Sequence, residues 1–170
     1  MRAHRLHPKR PIALGLDFGR VIMCPRHEVD GADTRFLHLP ELDAMNIAPP
    51  EGAFDAIRDL RTRFESRVWI VSKAGPRIQG LTLDWLEHQG FFEHTGMPRE
   101  HVRFCRERID KRLHAERLKL THFIDDRIDV LSHLSDVVEH RYLFGTQRQV
   151  PGWAFHVPDW NAVRTALLQP

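Results

Sequence analysis

At 170 residues, with 42% hydrophobic and 28% charged residues, the chain has the size and composition of one globular domain around a single core. Lys plus Arg (25) barely exceed Asp plus Glu (23), so the net charge of +2 gives no whole-surface attraction to nucleic acid. Two cysteines, Cys24 and Cys105, exclude a disulfide framework and fit a reducing, cytoplasmic setting; no apolar run approaches the roughly 20 residues of a membrane span.

Residues 1–10 are basic and lack the apolar stretch of a secretory signal, so they read as a flexible arm ahead of one domain over 11–170. Residues 12–16 are apolar throughout, the pattern of a central strand covered on both faces, and the run stops at Asp17. Over 23–50 periodicity fades and Pro25, Gly31, Pro40, Pro49 and Pro50 punctuate the chain. A loop of that length inside a compact domain is commonly functional, and it is expected to form a small lid. From Gly52 onward, Phe54, Ile57, Leu60 and Phe64 share one helical stripe. A second strand over 68–71 ends at Ser72, and Pro76 suits the first turn of the next helix. Ile78, Leu81 and Trp85 form that helix's apolar face, and Gly90 supplies a stop. A short strand over 102–105 and a short helix over 112–118 lead to a strand over 121–124, which ends on Asp125 and Asp126. Ile128, Leu131 and Leu134 stripe the following helix; strands over 142–144 and 154–157 and a helix carrying Trp160, Val163 and Leu167 complete the chain. Strands alternating with amphipathic helices predict a doubly wound, Rossmann-like parallel sheet with helices on both faces.

Three of these strands end on polar groups, and in such a sheet the ligand crevice lies outside the carboxyl ends of the strands. Asp17, Ser72 and the Asp125–Asp126 pair are therefore expected to converge although they are far apart in sequence. Asp17, fixed by a strand and a glycine-containing turn, suits a nucleophile; it equally suits a cap on that turn. Two adjacent carboxylates ending a buried strand repel unless a cation neutralises them. That cation is either a nearby arginine such as Arg127 or a metal, and oxygen-only ligands favour Mg²⁺. The twelve histidines lack the spacing of a metal helix and read as surface or supporting groups. Ser72 and Lys73, before a helix start, suit the binding of phosphate oxygens, and Ser72 alternatively an N-cap. Lys111 suits a fixed positive charge beside an anionic substrate and the acidic cluster.

With these residues in hand, the chain resembles the haloacid dehalogenase (HAD) superfamily, mostly Mg²⁺-dependent phosphatases, from about residue 12 to 134. Residues 17–21 look like its first motif, Ser72 its second, Lys111 its third and Asp125–Asp126 its fourth. The resemblance implies a five-stranded parallel core with Asp17 on the central strand. It implies that Asp17 attacks phosphorus to form an aspartyl-phosphate while Ser72 and Lys111 grip the transferring group. Asp17, the carbonyl of Gly19 and Asp125 would hold Mg²⁺, with Asp126 in support, and the substrate would be a small phosphorylated metabolite or nucleotide.

One position departs from the pattern. Gly19 stands where phosphatases of this kind carry a second aspartate as general acid and base, a group that typically contributes about 10²–10⁴-fold. Arg20 also replaces the motif's usual glycine. Members that cleave phosphonates need a cap lysine, which residues 23–50 lack, and the dehalogenases work without Mg²⁺. The substitute acid is sought among His27, Glu28, Asp30 and Asp33 of the lid. The alternative is a metal- and phosphate-binding regulatory protein with little or no turnover.

Overall fold

The computed structural model describes residues 11–24 and 41–169. The basic arm at 1–10 and the lid residues His27, Glu28, Asp30 and Asp33 lie outside the described residues.

Six strands form one all-parallel sheet: β1 (Leu14–Leu16), β2 (Val68–Lys73), β3 (Val102–Cys105), β4 (His122–Asp125), β5 (His140–Phe144) and β6 (Phe155–Val157). Their order is β3-β2-β1-β4-β5-β6, so the chain winds outward one way from β1 and then the other way from β4. Among the described residues the sheet has the six strands read from the sequence, one more than the five-stranded core that the resemblance implies, and the doubly wound architecture is the one the sequence predicts. β1 lies inside the sheet, with Leu16 level with Ile70 of β2 on one side and Ile124 of β4 on the other. The β1–β4 junction is the topological switch point of this strand order, the place where sheets of this kind bind ligands outside the carboxyl ends of their strands.

The helices are α1 (Glu41–Met45), α2 (Ala53–Arg63), α3 (Pro76–His88), α4 (Phe91–Thr95), α5 (Lys111–Leu118), α6 (Ile128–His133) and α7 (Trp160–Leu168). Leu14 and Leu16 face a core shared with Ile57 and Leu60 of α2, Trp85 of α3, Phe91 of α4 and Trp160 and Val163 of α7. Ala13, Phe123 and Leu143 face a second core with Ala115 of α5 and Val130 and Leu131 of α6. A strand buried on both sides has no polar face, which explains the unbroken apolar run in the sequence.

The expected apolar stripe of α2 is buried along its whole length, Phe54 to Phe64. In α3, Leu81 and Trp85 are buried whereas Ile78 is half-buried. Leu131 and Leu134 are buried, but Ile128 at the start of α6 is 36% exposed. Gly15 is required by close packing: a Cβ there would stand 2.5 Å from the Phe123 ring and 2.7 Å from Leu120. Cys24 and Cys105 are not joined in a disulfide. Among the described residues no helix is long and apolar enough to cross a membrane.

Candidate active site

The turn after β1 is held from several sides. The carbonyl of Phe18 accepts from Ile22 N–H at 2.9 Å and Met23 N–H at 3.1 Å, and Arg20 N–H donates to Met23 O at 2.8 Å. The Phe18 ring meets Trp85 edge-on at 5.4 Å, and the indole N–H of Trp160 donates to Val21 O at 2.9 Å. Asp17 itself continues the ladder, its N–H donating to Ile124 O of β4 at 2.9 Å. Its backbone is thereby tied to the sheet on one side and to a locked turn on the other.

Asp125 ends β4 and is fully buried. One of its oxygens accepts from Arg127 N–H at 3.0 Å, and the other accepts from Lys111 Nζ at 2.7 Å. The same ammonium donates to Asp17 Oδ1 at 2.7 Å. Lys111 enters as the first residue of α5, just after a 3₁₀ turn closed by a capping box between Glu107 and Asp110. A buried lysine thus bridges the carboxylates at the ends of β1 and β4, the two strands that flank the switch point. Burial works against its charge, but Asp125 and Asp17 outweigh that and hold the ammonium more firmly protonated than in water. The Asp125 carboxyl is pushed up to about 8, first by burial, with Lys111 opposing and Asp17 and Asp126 reinforcing.

Asp126 follows at the rim. Its carboxylate pairs with Arg20 Nη1 at 3.4 Å, and its carbonyl accepts from the Gln147 amide at 3.0 Å. One oxygen from each of Asp17, Asp125 and Asp126 lies within 4.8 Å of the others. Oxygens around an octahedral Mg²⁺ at ~2.1 Å stand roughly 3–4 Å apart, so small side-chain rotations bring this all-oxygen set into place. The donor chemistry and the under-neutralised, buried Asp125 both suit a hard divalent cation.

Ser72 and Lys73 are the last two residues of β2, two residues more of strand than the 68–71 read from the sequence, because they pair with Phe104 and Cys105. Ser72 is buried beside β1 at the crevice end of the sheet, and Lys73 is exposed there. The N-cap of α3 is Gly75 rather than Ser72, and Ala74 N–H is already bonded to Cys105 O at 3.0 Å. The phosphate-facing amides expected in this turn are reduced by that one. The Cys105 thiol donates to Ser72 O at 3.7 Å, and burial raises it to about 11, which leaves it an unreactive packing group.

Gly19, two residues past Asp17, is exposed, and a Cβ there would meet no described residue within 4 Å apart from its two chain neighbours. The geometry therefore groups Asp17, Lys111, Asp125 and Asp126 tightly, with Ser72, Lys73 and Gly19 at the same rim. The Arg127 alternative is only partly met: its backbone N–H reaches Asp125, while its guanidinium goes to Asp129 at 3.0 Å. Arg20, which sequence reasoning noted only as a replacement, is the arginine that meets the pair. A charged residue in a turn position that favours glycine was the available signal.

No family model matches the sequence, and no curated protein is similar to it. Solved structures resemble it in fold. A D,D-heptose 1,7-bisphosphate phosphatase of B. bronchiseptica, complexed with magnesium and phosphate, superposes with a TM-score of 0.62 at 17% identity, covering 93% of this chain and 99% of that one. A HAD family hydrolase of Deinococcus radiodurans R1 with bound phosphate and sodium gives 0.59 at 15% identity, over 92% of this chain and 95% of that one. A haloacid dehalogenase-like hydrolase of Xanthomonas campestris gives 0.56 at 15% identity, over 94% and 98%. The chain has the fold of these hydrolases.

Proposed function

We propose that this chain, built on a haloacid dehalogenase-like fold, is a Mg²⁺-dependent phosphohydrolase that acts through an aspartyl-phosphate on Asp17. The observation that carries the reading is the Lys111 ammonium, 2.7 Å from both Asp17 and Asp125 at the switch point of the sheet. A carboxylate so placed is directed and sheltered, which is what a nucleophile toward phosphorus needs.

Asp17, Asp125, Asp126 and the Gly19 carbonyl would hold Mg²⁺. The ion would neutralise phosphoryl oxygens and draw the substrate's phosphorus toward the carboxylate. Lys111 orients the Asp17 carboxylate through its 2.7 Å hydrogen bond and offers its positive charge to the equatorial oxygens as bonds change. Ser72 and the exposed Lys73 are positioned to take further phosphate oxygens. Asp17 would then bond to phosphorus as the bridging P–O bond breaks and the substrate's remaining part departs with that oxygen, and water would hydrolyse the acyl phosphate to release inorganic phosphate and return the free carboxylate. The expected substrate is a small phosphorylated metabolite or nucleotide.

Incubation with p-nitrophenyl phosphate and Mg²⁺ tests this, with turnover expected in the native chain and lost in Asp17→Asn. Undiminished activity in Asp17→Asn removes Asp17 from the nucleophile's role.

Gly19 favours a second reading, a binding or regulatory protein without useful turnover. Gly19 makes the distinction testable, since the Cβ of a residue placed there meets no described residue within 4 Å apart from its chain neighbours. Activity that arises only in Gly19→Asp identifies the second reading; activity already present in the native chain identifies the first.

A further inference from the structure

The turn that follows Asp17 contains an arginine where its backbone favours glycine. Arg20 has φ of 60°, in the left-handed region that L side chains rarely adopt. Hydrogen bonds from Ile22 and Met23 to Phe18 O, and from Arg20 N–H to Met23 O, hold that conformation in place. From there the guanidinium reaches Asp126 at 3.4 Å, long for a charge-assisted bond. Its side chain is 28% exposed against 9% for Asp126, so it stands between the carboxylates and solvent. Next to it in the chain is Gly19, and apart from its two chain neighbours no described residue comes within 4 Å of where a side chain would begin.

The turn thus offers no side-chain proton donor at Gly19, while Arg20 places a permanent cation at the Asp126 end of the acidic cluster. A guanidinium does not give up a proton at any relevant pH, but it attracts an oxyanion and pairs with phosphate oxygens in a fixed geometry. We infer that Arg20 determines specificity, selecting phosphoric anhydrides, whose leaving group is itself a phosphate, over alkyl phosphomonoesters. This rests on the phosphohydrolase reading and names its substrate class.

The chemistry balances without a general acid. As the Asp17 oxygen bonds to phosphorus, the bridging P–O bond breaks and its electron pair stays on an oxygen of the departing phosphate. That oxyanion is stable at neutral pH and leaves unprotonated, whereas an alkoxide does not. Water next adds to the phosphorus of the aspartyl-phosphate, the P–O bond to Asp17 breaks, and the released phosphate carries away the water's proton.

The test compares inorganic pyrophosphate, p-nitrophenyl phosphate and n-propyl phosphate with Mg²⁺ on the full chain. Pyrophosphate is expected to exceed propyl phosphate in kcat/KM by roughly a hundredfold, the scale of the missing acid. Arg20→Gly, whose backbone suits φ of 60°, is expected to lose roughly tenfold more on pyrophosphate than on p-nitrophenyl phosphate. Arg20→Lys is expected to recover part of that loss and gives the same comparison if Arg20→Gly does not fold. Equal rates on pyrophosphate and propyl phosphate, or an equal loss on all substrates in the variants, overturn the inference while the hydrolase reading stands. Turnover of none of the three overturns the hydrolase reading, and the inference with it.

Discussion

Substituting Lys111 by methionine retains an unbranched, flexible side chain and deletes a charge that lies 2.7 Å from both Asp17 and Asp125. Solvent cannot replace it, because the side chains of Lys111 and Asp125 are 3% and 0% exposed. Removing one partner of a buried ion pair costs roughly 3–5 kcal/mol, since the remaining charge is left uncompensated. Asp125 limits the loss by taking up a proton, as its carboxyl is already raised to about 8. The lower end, about 3 kcal/mol, is therefore expected near neutral pH, a fall in Tm of roughly 6–12 °C for a domain of this size. The assay is urea unfolding of the native chain and Lys111→Met in chelator, repeated with Mg²⁺. Mg²⁺ should restore more stability to the variant than it adds to the native chain, because the same carboxylates then have no competing ammonium. Identical midpoints and slopes in chelator would refute the reasoning, for they would mean that Lys111 does not hold the two strand ends together.

Gly15→Ala forces a methyl group to within 2.5 Å of the Phe123 ring and 2.7 Å of Leu120, both buried, and is expected to lower the stability by about 1–3 kcal/mol in denaturant unfolding. An unshifted midpoint contradicts the close approach of β1 to that core. His122 has its pKa lowered from 6.5 to about 4, first by burial and then by His140 and Arg63, so it stays neutral in the fold while the unfolded chain takes up a proton. Its contribution is intact above pH 6.5 and is lost as pH falls from there to about 4; His122→Phe should flatten that part of the stability curve. Asp125→Asn is expected to weaken Mg²⁺ binding in titration calorimetry by roughly tenfold or more. Unchanged affinity would place the cation elsewhere.

Much of the fold was legible because β1, β2 and β4 are buried on both sides, and only apolar side chains satisfy that. Their apolar runs end where the sheet meets the crevice, so Asp17, Ser72 and Asp125 declared themselves by position. The short helices α1 and α4 were not legible, as five residues are too few to show a period of 3.6. They are held by tertiary contacts: at the end of α1, Trp85 Nε1 donates to Ile47 O at 2.9 Å and Gln89 to Met45 O at 2.7 Å, and at the end of α4, Arg61 Nη1 donates to Thr95 O at 3.0 Å. The length of β2 was underestimated because Ser72 and Lys73 are extended by pairing with β3, not by their own propensity. At the site, the residue types were readable but their partners were not. That Lys111 spans Asp17 and Asp125, and that Arg20 meets Asp126, depends on a separation of about a hundred residues closing to a few ångströms. Only the fold supplies that distance.

The central claim is that the Asp17 carboxylate takes the phosphoryl group, and rapid acid quenching during turnover with Mg²⁺ tests it most directly. Peptide mapping by mass spectrometry is expected to find one phosphoryl group on the segment containing Asp17, and none in Asp17→Asn. Steady turnover with that segment unmodified, or a phosphoryl group on another residue, would contradict it.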